Sequence, residues 1–291
     1  MRQTLILIAA VALVGCGKKT TPAEPETNAE PKVAANKPEP AKVEPKVDFA
    51  GRKIVAAKKQ EFTNTLGMKF VPVPGTDVQF CIWETRVKDY AEYAAANAGV
   101  DASWKNFGLG FKQEETHPVV NVKLEDAQAF CTWLTKKELA EGEIKAGQKY
   151  RLPTDAEWSV AVGLGKEKGN TPKEKSRGIE DVYPWHKEWP PPKGAGNYGG
   201  TLMVDKFDYT SPVGSFASNK DGLHDMGGNV NELCEDWYNP ATKAGRVLRG
   251  ASWGNGNPGR LLSSYRNLYT PDLRGGIRVG FRCVLVGGSG G

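Results

Sequence analysis

The feature that most constrains this chain is where its aromatic residues fall. All eight tryptophans and all nine tyrosines lie from Trp83 onward, and the first aromatic residue of any kind is Phe49. A segment orders only where buried apolar surface offsets the entropy of fixing it. Residues 16–58 are rich in Lys, Glu, Pro and Ala, as in Glu39-Pro40-Ala41-Lys42-Val43-Glu44-Pro45. They are expected to form a disordered tether, partly stiffened by proline. Residues 59–286 are expected to form one domain. With 39% hydrophobic and 25% charged residues, the chain can supply one sizeable core. The Gly/Ser-rich tail, residues 287–291, is expected to be flexible.

The first fifteen residues carry Arg2 and an apolar run from Leu5 to Val14. That run is too short for a permanent membrane span and reads as a signal peptide, residues 1–15. Leu13-Val14-Gly15-Cys16 resembles the lipobox of bacterial lipoproteins. The resemblance implies lipidation of Cys16, and two acyl chains suffice for stable anchoring where one does not. The expected location is therefore the cell envelope. Gly17 gives no inner-membrane retention signal, which favours an outer membrane where one exists. The formal net charge of +5 falls to about +4 if Arg2 is removed. No basic stripe with interleaved aromatics occurs, so nucleic acid is not an expected partner.

Within the domain, Phe70 to Gly75 reads as a short strand and turn, and Val78 to Trp83 as a second strand. Val87, Tyr90, Ala91 and Ala94 are spaced as one face of a helix over 85–96. Val119 to Val122 reads as extended. A helix from about Glu125 should bury Ala127, Phe130, Cys131 and Leu134. Thr154 and Glu157 form a capping-box pattern opening another helix. Beyond Gly163 the chain is irregular, with brief strands expected at Arg246–Arg249 and from Gly280 to Leu285. There is no internal repeat.

Seven motifs stand out in order. They are Gly67-Met68-Lys69-Phe70-Val71-Pro72; His117-Pro118-Val119 with Glu125-Asp126-Ala127 and Phe130-Cys131; Arg151-Leu152-Pro153-Thr154 with Glu157-Trp158; and Tyr183-Pro184-Trp185. Then come Asp221-Gly222-Leu223-His224-Asp225-Met226-Gly227-Gly228-Asn229-Val230 with Glu232, Arg246 through Trp253, and Gly280-Phe281-Arg282-Cys283. Together they resemble the formylglycine-generating enzyme, or sulfatase-modifying factor, family across roughly residues 60–286. The resemblance implies an α+β, compact, loop-rich single domain related to C-type lectins.

What the resemblance implies chemically turns on sulfur. Enzymes of this family oxidise a sulfatase cysteine with two thiols that bind copper(I), a soft ion suited to thiolate. Here the corresponding segment, Gly254 to Arg266, places Asn255 and Arg260 near those positions. No cysteine lies between Cys234 and Cys283, so copper is not expected. Apart from Cys16, the cysteines are Cys81, Cys131, Cys234 and Cys283, which in an exported protein suggest disulfides with three possible pairings. The resemblance implies a bridge between Cys131 and Cys283 and leaves Cys81 and Cys234 open. It also implies two structural calcium sites, one from Asn197, Tyr198, Asp205 and Phe207, the other from Asp225, Gly228, Val230 and Glu232. Calcium takes carboxylate, amide and backbone carbonyl oxygens of this kind.

His117, His186 and His224 are the only histidines, and a non-haem iron site of the kind in sulfoxide synthases lacks its histidine-rich partner domain here. The first and last read as structural. A polar and aromatic set remains: Ser252, Trp253, Asn255, Asn257, Tyr265, Arg266, Asn267, Tyr269, Asp272 and Arg274. In the resembling proteins this region lines a substrate groove or ligand face, and such side chains make adaptable contacts. The expectation is a non-catalytic, calcium-stabilised envelope module that binds a peptide, glycan or protein. The alternative is an oxidase making formylglycine, or a related modification, without the thiol pair.

Overall fold

The computed structural model describes residues 61–105, 107 and 113–287. The expected signal peptide, Cys16 and the tether lie outside the described residues, as do residues 288–291.

In chain order, β1 (Phe62–Thr63), β2 (Lys69–Pro72) and β3 (Gln79–Cys81) lead into α1 (Val87–Ala96) and α2 (Leu124–Ala140). β4 (Lys149–Arg151), α3 (Asp155–Ala161) and the single turn α4 (Pro172–Lys175) follow. A long loop leads to β5 (Asn231–Asn239) and β6 (Ala244–Arg249), then α5 (Pro258–Leu261), β7 (Arg266–Tyr269), β8 (Val279–Gly280) and β9 (Val284–Val286). The described strands form two sheets, one ordered β1-β2-β3-β9-β4 and the other β7-β6-β5-β8. Every ladder is antiparallel except β5 with β8.

Each helix start has a local cause. The Asp89 carboxylate accepts the Arg86 backbone N–H at 3.0 Å, and Asp126 does the same for Lys123 at 2.9 Å. Thr154 and Glu157 cap each other reciprocally at 3.2 and 2.8 Å, as their spacing requires. Ala127, Phe130, Cys131 and Leu134 of α2 are all buried. Phe130 stacks on Tyr90 of α1 at 5.9 Å and meets Phe281 edge-on at 5.6 Å, so the helices close one side of an aromatic core. A second core surrounds Trp158 and Cys234, and a third joins Tyr183 and Tyr198 to Leu261.

Two expected strands take other forms. Residues 119–122 join neither sheet, because Asn121 turns left-handed (φ 59°) and its N–H goes to the Gly276 carbonyl. The stretch from Gly280 to Leu285 is split between sheets. Val279 and Gly280 pair with β5, whereas Val284 and Leu285 pair with β3 and β4. Gly280 sits so close to the Val119 carbonyl that no Cβ would fit.

Candidate functional site

Arg282, in the crossing between the two sheets, is fully buried. Its Nε and Nη2 donate to both oxygens of Glu232 at 2.8 and 2.6 Å, and Nη2 also donates to the His224 carbonyl. The Trp158 indole N–H donates to Glu232 Oε2 at 3.0 Å. Burial drives the guanidinium toward neutrality, but the Glu232 charge outweighs it and holds Arg282 firmly protonated. A second lock uses Asp155, which accepts from Arg249 and Arg266, while Arg266 also binds Glu167. Burial alone would raise the Asp155 pKa; the two guanidiniums overcome it and lower it. These locks tie α3, β5, β6 and β7 into a rigid floor.

Above that floor the segment after β6 departs from the expected ligand face. Ser252, Tyr265, Arg266 and Tyr269 are buried, with Arg266 only 1% exposed. Side chains alternate across a strand. Arg266 and Tyr269 therefore lie on opposite faces of β7, and both are buried, while Asn267 is half-buried and Leu268 exposed. The Tyr269 hydroxyl donates to the Leu273 carbonyl. Arg274 is half-buried in ion pairs with Asp101 and Asp126, at 2.9 and 3.3 Å, and Asp272 is exposed. The ten residues thus do not form one continuous face.

What does form a surface is centred on Trp253. Its indole N–H is anchored to the Ile277 carbonyl at 2.9 Å, Tyr209 meets its ring edge-on at 5.0 Å, and the Arg278 guanidinium lies 4.8 Å from its centre. Beside it, Asn255 Oδ1 accepts the Ser252 N–H and hydroxyl, both at 2.9 Å, and the Asn255 carbonyl accepts the Gly199 N–H. Asn257 caps α5 by accepting the Gly259 N–H, and Arg260 is exposed. Tyr209 sits in a loop and Arg278 ends a single 3-10 turn before β8; neither lies in a periodic pattern, and only their packing on Trp253 marks them.

The two clusters of expected calcium ligands are neighbours, joined by Asn229. Its N–H donates to the Asn197 carbonyl at 2.9 Å, and its side-chain oxygen accepts from Asn197 Nδ2 at 3.2 Å. The first cluster fits the ion. Asn197 is wholly buried with its side-chain oxygen lacking any hydrogen-bond partner, and Asp205 lies beside it, accepting the Tyr198 and Phe207 N–H groups. The second cluster does not fit as a set. Both Glu232 oxygens belong to Arg282 and Trp158. Of its side-chain donors, Asp225 keeps an unpartnered oxygen.

His117 Nδ1 lies 2.9 Å from Thr210 Oγ1, and burial lowers its pKa; His224 Nδ1 lies 2.8 Å from the Phe216 carbonyl. Both have structural partners. Among the described residues no three His, Cys, Asp or Glu side chains converge as a metal group.

Residues 27–286 match the sulfatase-modifying factor enzyme 1-like domain family. The chain belongs to that family. Inactive C-alpha-formylglycine-generating enzyme 2 of Bos taurus is 34% identical over 191 residues, covering 62% of this chain and 54% of the relative. Formylglycine-generating enzyme of Thermomonospora curvata is 30% identical over 204 residues, covering 61% and 58%. The chain thus spans little more than half the length of these relatives. PvdO from Pseudomonas aeruginosa shares the fold, with a TM-score of 0.54 at 21% identity over 78% of this chain and 98% of that one.

In this sulfatase-modifying factor domain the four described cysteines are buried, and all are free thiols. The sulfurs of Cys131 and Cys283, the pair expected to bridge, lie 3.5 Å apart. Cys81 shares their core and donates its backbone N–H to the Cys283 carbonyl at 3.0 Å, whereas Cys234 lies in the second core. Burial raises the pKa of Cys81, Cys234 and Cys283, so none is a ready thiolate.

Proposed function

We propose that this family member is a non-catalytic module of the cell envelope, anchored through Cys16, that binds a peptide, glycan or protein at the Trp253 surface. The observation that carries this reading is the composition of the segment where family enzymes hold copper. Asn255 and Arg260 stand near the thiol positions, and no cysteine occurs between Cys234 and Cys283. The amide of Asn255 is committed to Ser252, and guanidinium is a poor ligand for a soft cation. Similarity to a relative named as inactive supports the same reading.

Calcium at Asn197 and Asp205, with the Tyr198 and Phe207 carbonyls, would fix the loop that carries Gly199 beneath Asn255. Trp253, Tyr209 and Arg278 would then offer a ring face and a cation to the ligand, a combination suited to adaptable recognition.

The test is mass spectrometry of a sulfatase-motif peptide incubated with the full chain, copper and a thiol reductant. The cysteine should remain unmodified. Its conversion to an aldehyde would reject the reading in favour of an oxidase. Binding is tested separately by screening an envelope peptide and glycan library against the chain and its Trp253→Ala variant, and undiminished binding by the variant would reject the assigned surface.

A further inference from the structure

Most arginines of the domain answer to a carboxylate. Arg86, Arg151, Arg249, Arg266, Arg274 and Arg282 each have an acid oxygen within ion-pair distance. Arg278 has none among the described residues. It is exposed, its guanidinium lies 4.8 Å from the centre of the Trp253 ring, and no hydrogen bond joins that guanidinium to a described residue. Asp208, beside Tyr209 in the chain, and Asp272 are exposed acids, and neither pairs with it.

Packing holds this guanidinium in place. The Trp253 ring attracts it, and a Cβ at residue 254 would overlap Arg278 Nε and Cζ, so glycine there lets the side chain lie across the loop. An arginine positioned in this way offers a planar fork of N–H donors that matches the two oxygens of a carboxylate. The adjoining loop adds donors of its own. Asn255 and Asn257 commit their side-chain oxygens to Ser252 and to the Gly259 N–H, and their amide nitrogens have no partner among the described residues. Sugar hydroxyls both donate and accept, whereas peptide carbonyls and carboxylates only accept. Side chains with only donors to spare therefore suit an acidic peptide.

We infer that the Trp253 surface selects a peptide with an acidic side chain, whose carboxylate takes the Arg278 fork while its backbone carbonyls take the Asn255 and Asn257 amides. This selectivity rests on the binding role proposed for that surface and adds the charge of its ligand. Arg278 sets the specificity, and Trp253 and Gly254 hold it in position.

An array of acetylated decapeptides, each present in a Glu and a Gln form that differ at one position, tests it with the full chain. Bound peptides should prefer Glu to Gln by at least about tenfold, the contribution of a charge-assisted pair. Arg278→Gln should erase that preference with no change in melting temperature. Arg278→Lys, which keeps the charge without the fork, should retain part of it, and Gly254→Ala, which keeps the arginine and displaces it, should weaken it. Glu and Gln forms bound alike, or no peptide bound, would overturn the inference; loss of both forms in Trp253→Ala would then leave the surface itself standing. A Glu preference that survives both Arg278→Gln and Trp253→Ala would overturn the surface too. A uronate oligosaccharide that binds more tightly than any peptide would overturn the inference by giving the site to an acidic glycan.

Discussion

Arg282 and Glu232 face each other as a two-pronged ion pair, 2.6 and 2.8 Å apart and sealed from solvent. Glu232 was expected to hold calcium, and its use here is to neutralise an arginine that also donates to the Cys81 and His224 carbonyls. The pair fastens the crossing strand to both sheets. Removing one partner leaves a buried charge unmatched, which costs about 3–5 kcal/mol. Arg282→Met should therefore lower unfolding stability by that order in denaturant titration. A loss below about 1 kcal/mol would show that the pair is not what holds the crossing.

Asp155 gives a pH signature. Its folded pKa lies below 3.8, since Arg249 and Arg266 outweigh the burial that would raise it. A depressed pKa means that the folded state binds fewer protons than the unfolded one. The stabilisation is present above pH 3.8 and fades as pH falls through the folded pKa. Asp155→Asn should cost about 3 kcal/mol near neutrality, and its deficit against the parent should shrink in acid. Stability curves that stay parallel from pH 6 down to about pH 2 would contradict this assignment.

Cys131 and Cys283 are placed for oxidation, with sulfurs 3.5 Å apart against about 2.05 Å in a disulfide. In an oxidising compartment they should bridge, closing a loop of about 150 residues worth about 5 kcal/mol in the chain-entropy treatment. Non-reducing peptide mapping of the protein prepared under oxidising conditions should recover the linked pair, and reductant should lower its melting temperature. Alkylation of both thiols in the native protein prepared in that way would refute the bridge.

Calcium at Asn197 and Asp205 should stabilise the fold by about 2.7 kcal/mol at a hundredfold excess over its dissociation constant. A chelator should lower the melting temperature of the parent and leave Asp205→Ala unchanged. A chelator effect of equal size in both would place the ion elsewhere.

Local signals were legible where a short stretch carries its own instruction. Thr154 and Glu157 announce a helix start through their spacing, and Ala127, Phe130, Cys131 and Leu134 announce a buried face. The seven ordered motifs gave the family. The longest strand, β5, was missed, since Asn231 to Asn239 carries Glu232, Glu235 and Asp236 and lacks clean alternation. Its charges are matched by distant partners, Arg282 for Glu232 and the Asp155 N–H for Asp236 at 2.6 Å.

The candidate surface divides in the same way. Trp253, Asn255 and Asn257 could be picked out by residue type, whereas Arg266 looked equally suitable and lies under the sheet against Asp155. Only the register of β7 against β6, with Arg266 opposite Arg249, decides which way it points.

The amino-acid sequence by itself determined the family, the helix starts, the concentration of aromatic residues in one domain and the lack of cysteine near Asn255 and Arg260. Each is a matter of which residue types occur at short spacing or in what order. Tertiary structure alone decided that Glu232 serves Arg282, that Arg266 is buried and that Asp225 is left with an unmatched oxygen. The energy of a charge depends on what surrounds it within a few ångströms, and those neighbours come from parts of the chain far away in sequence.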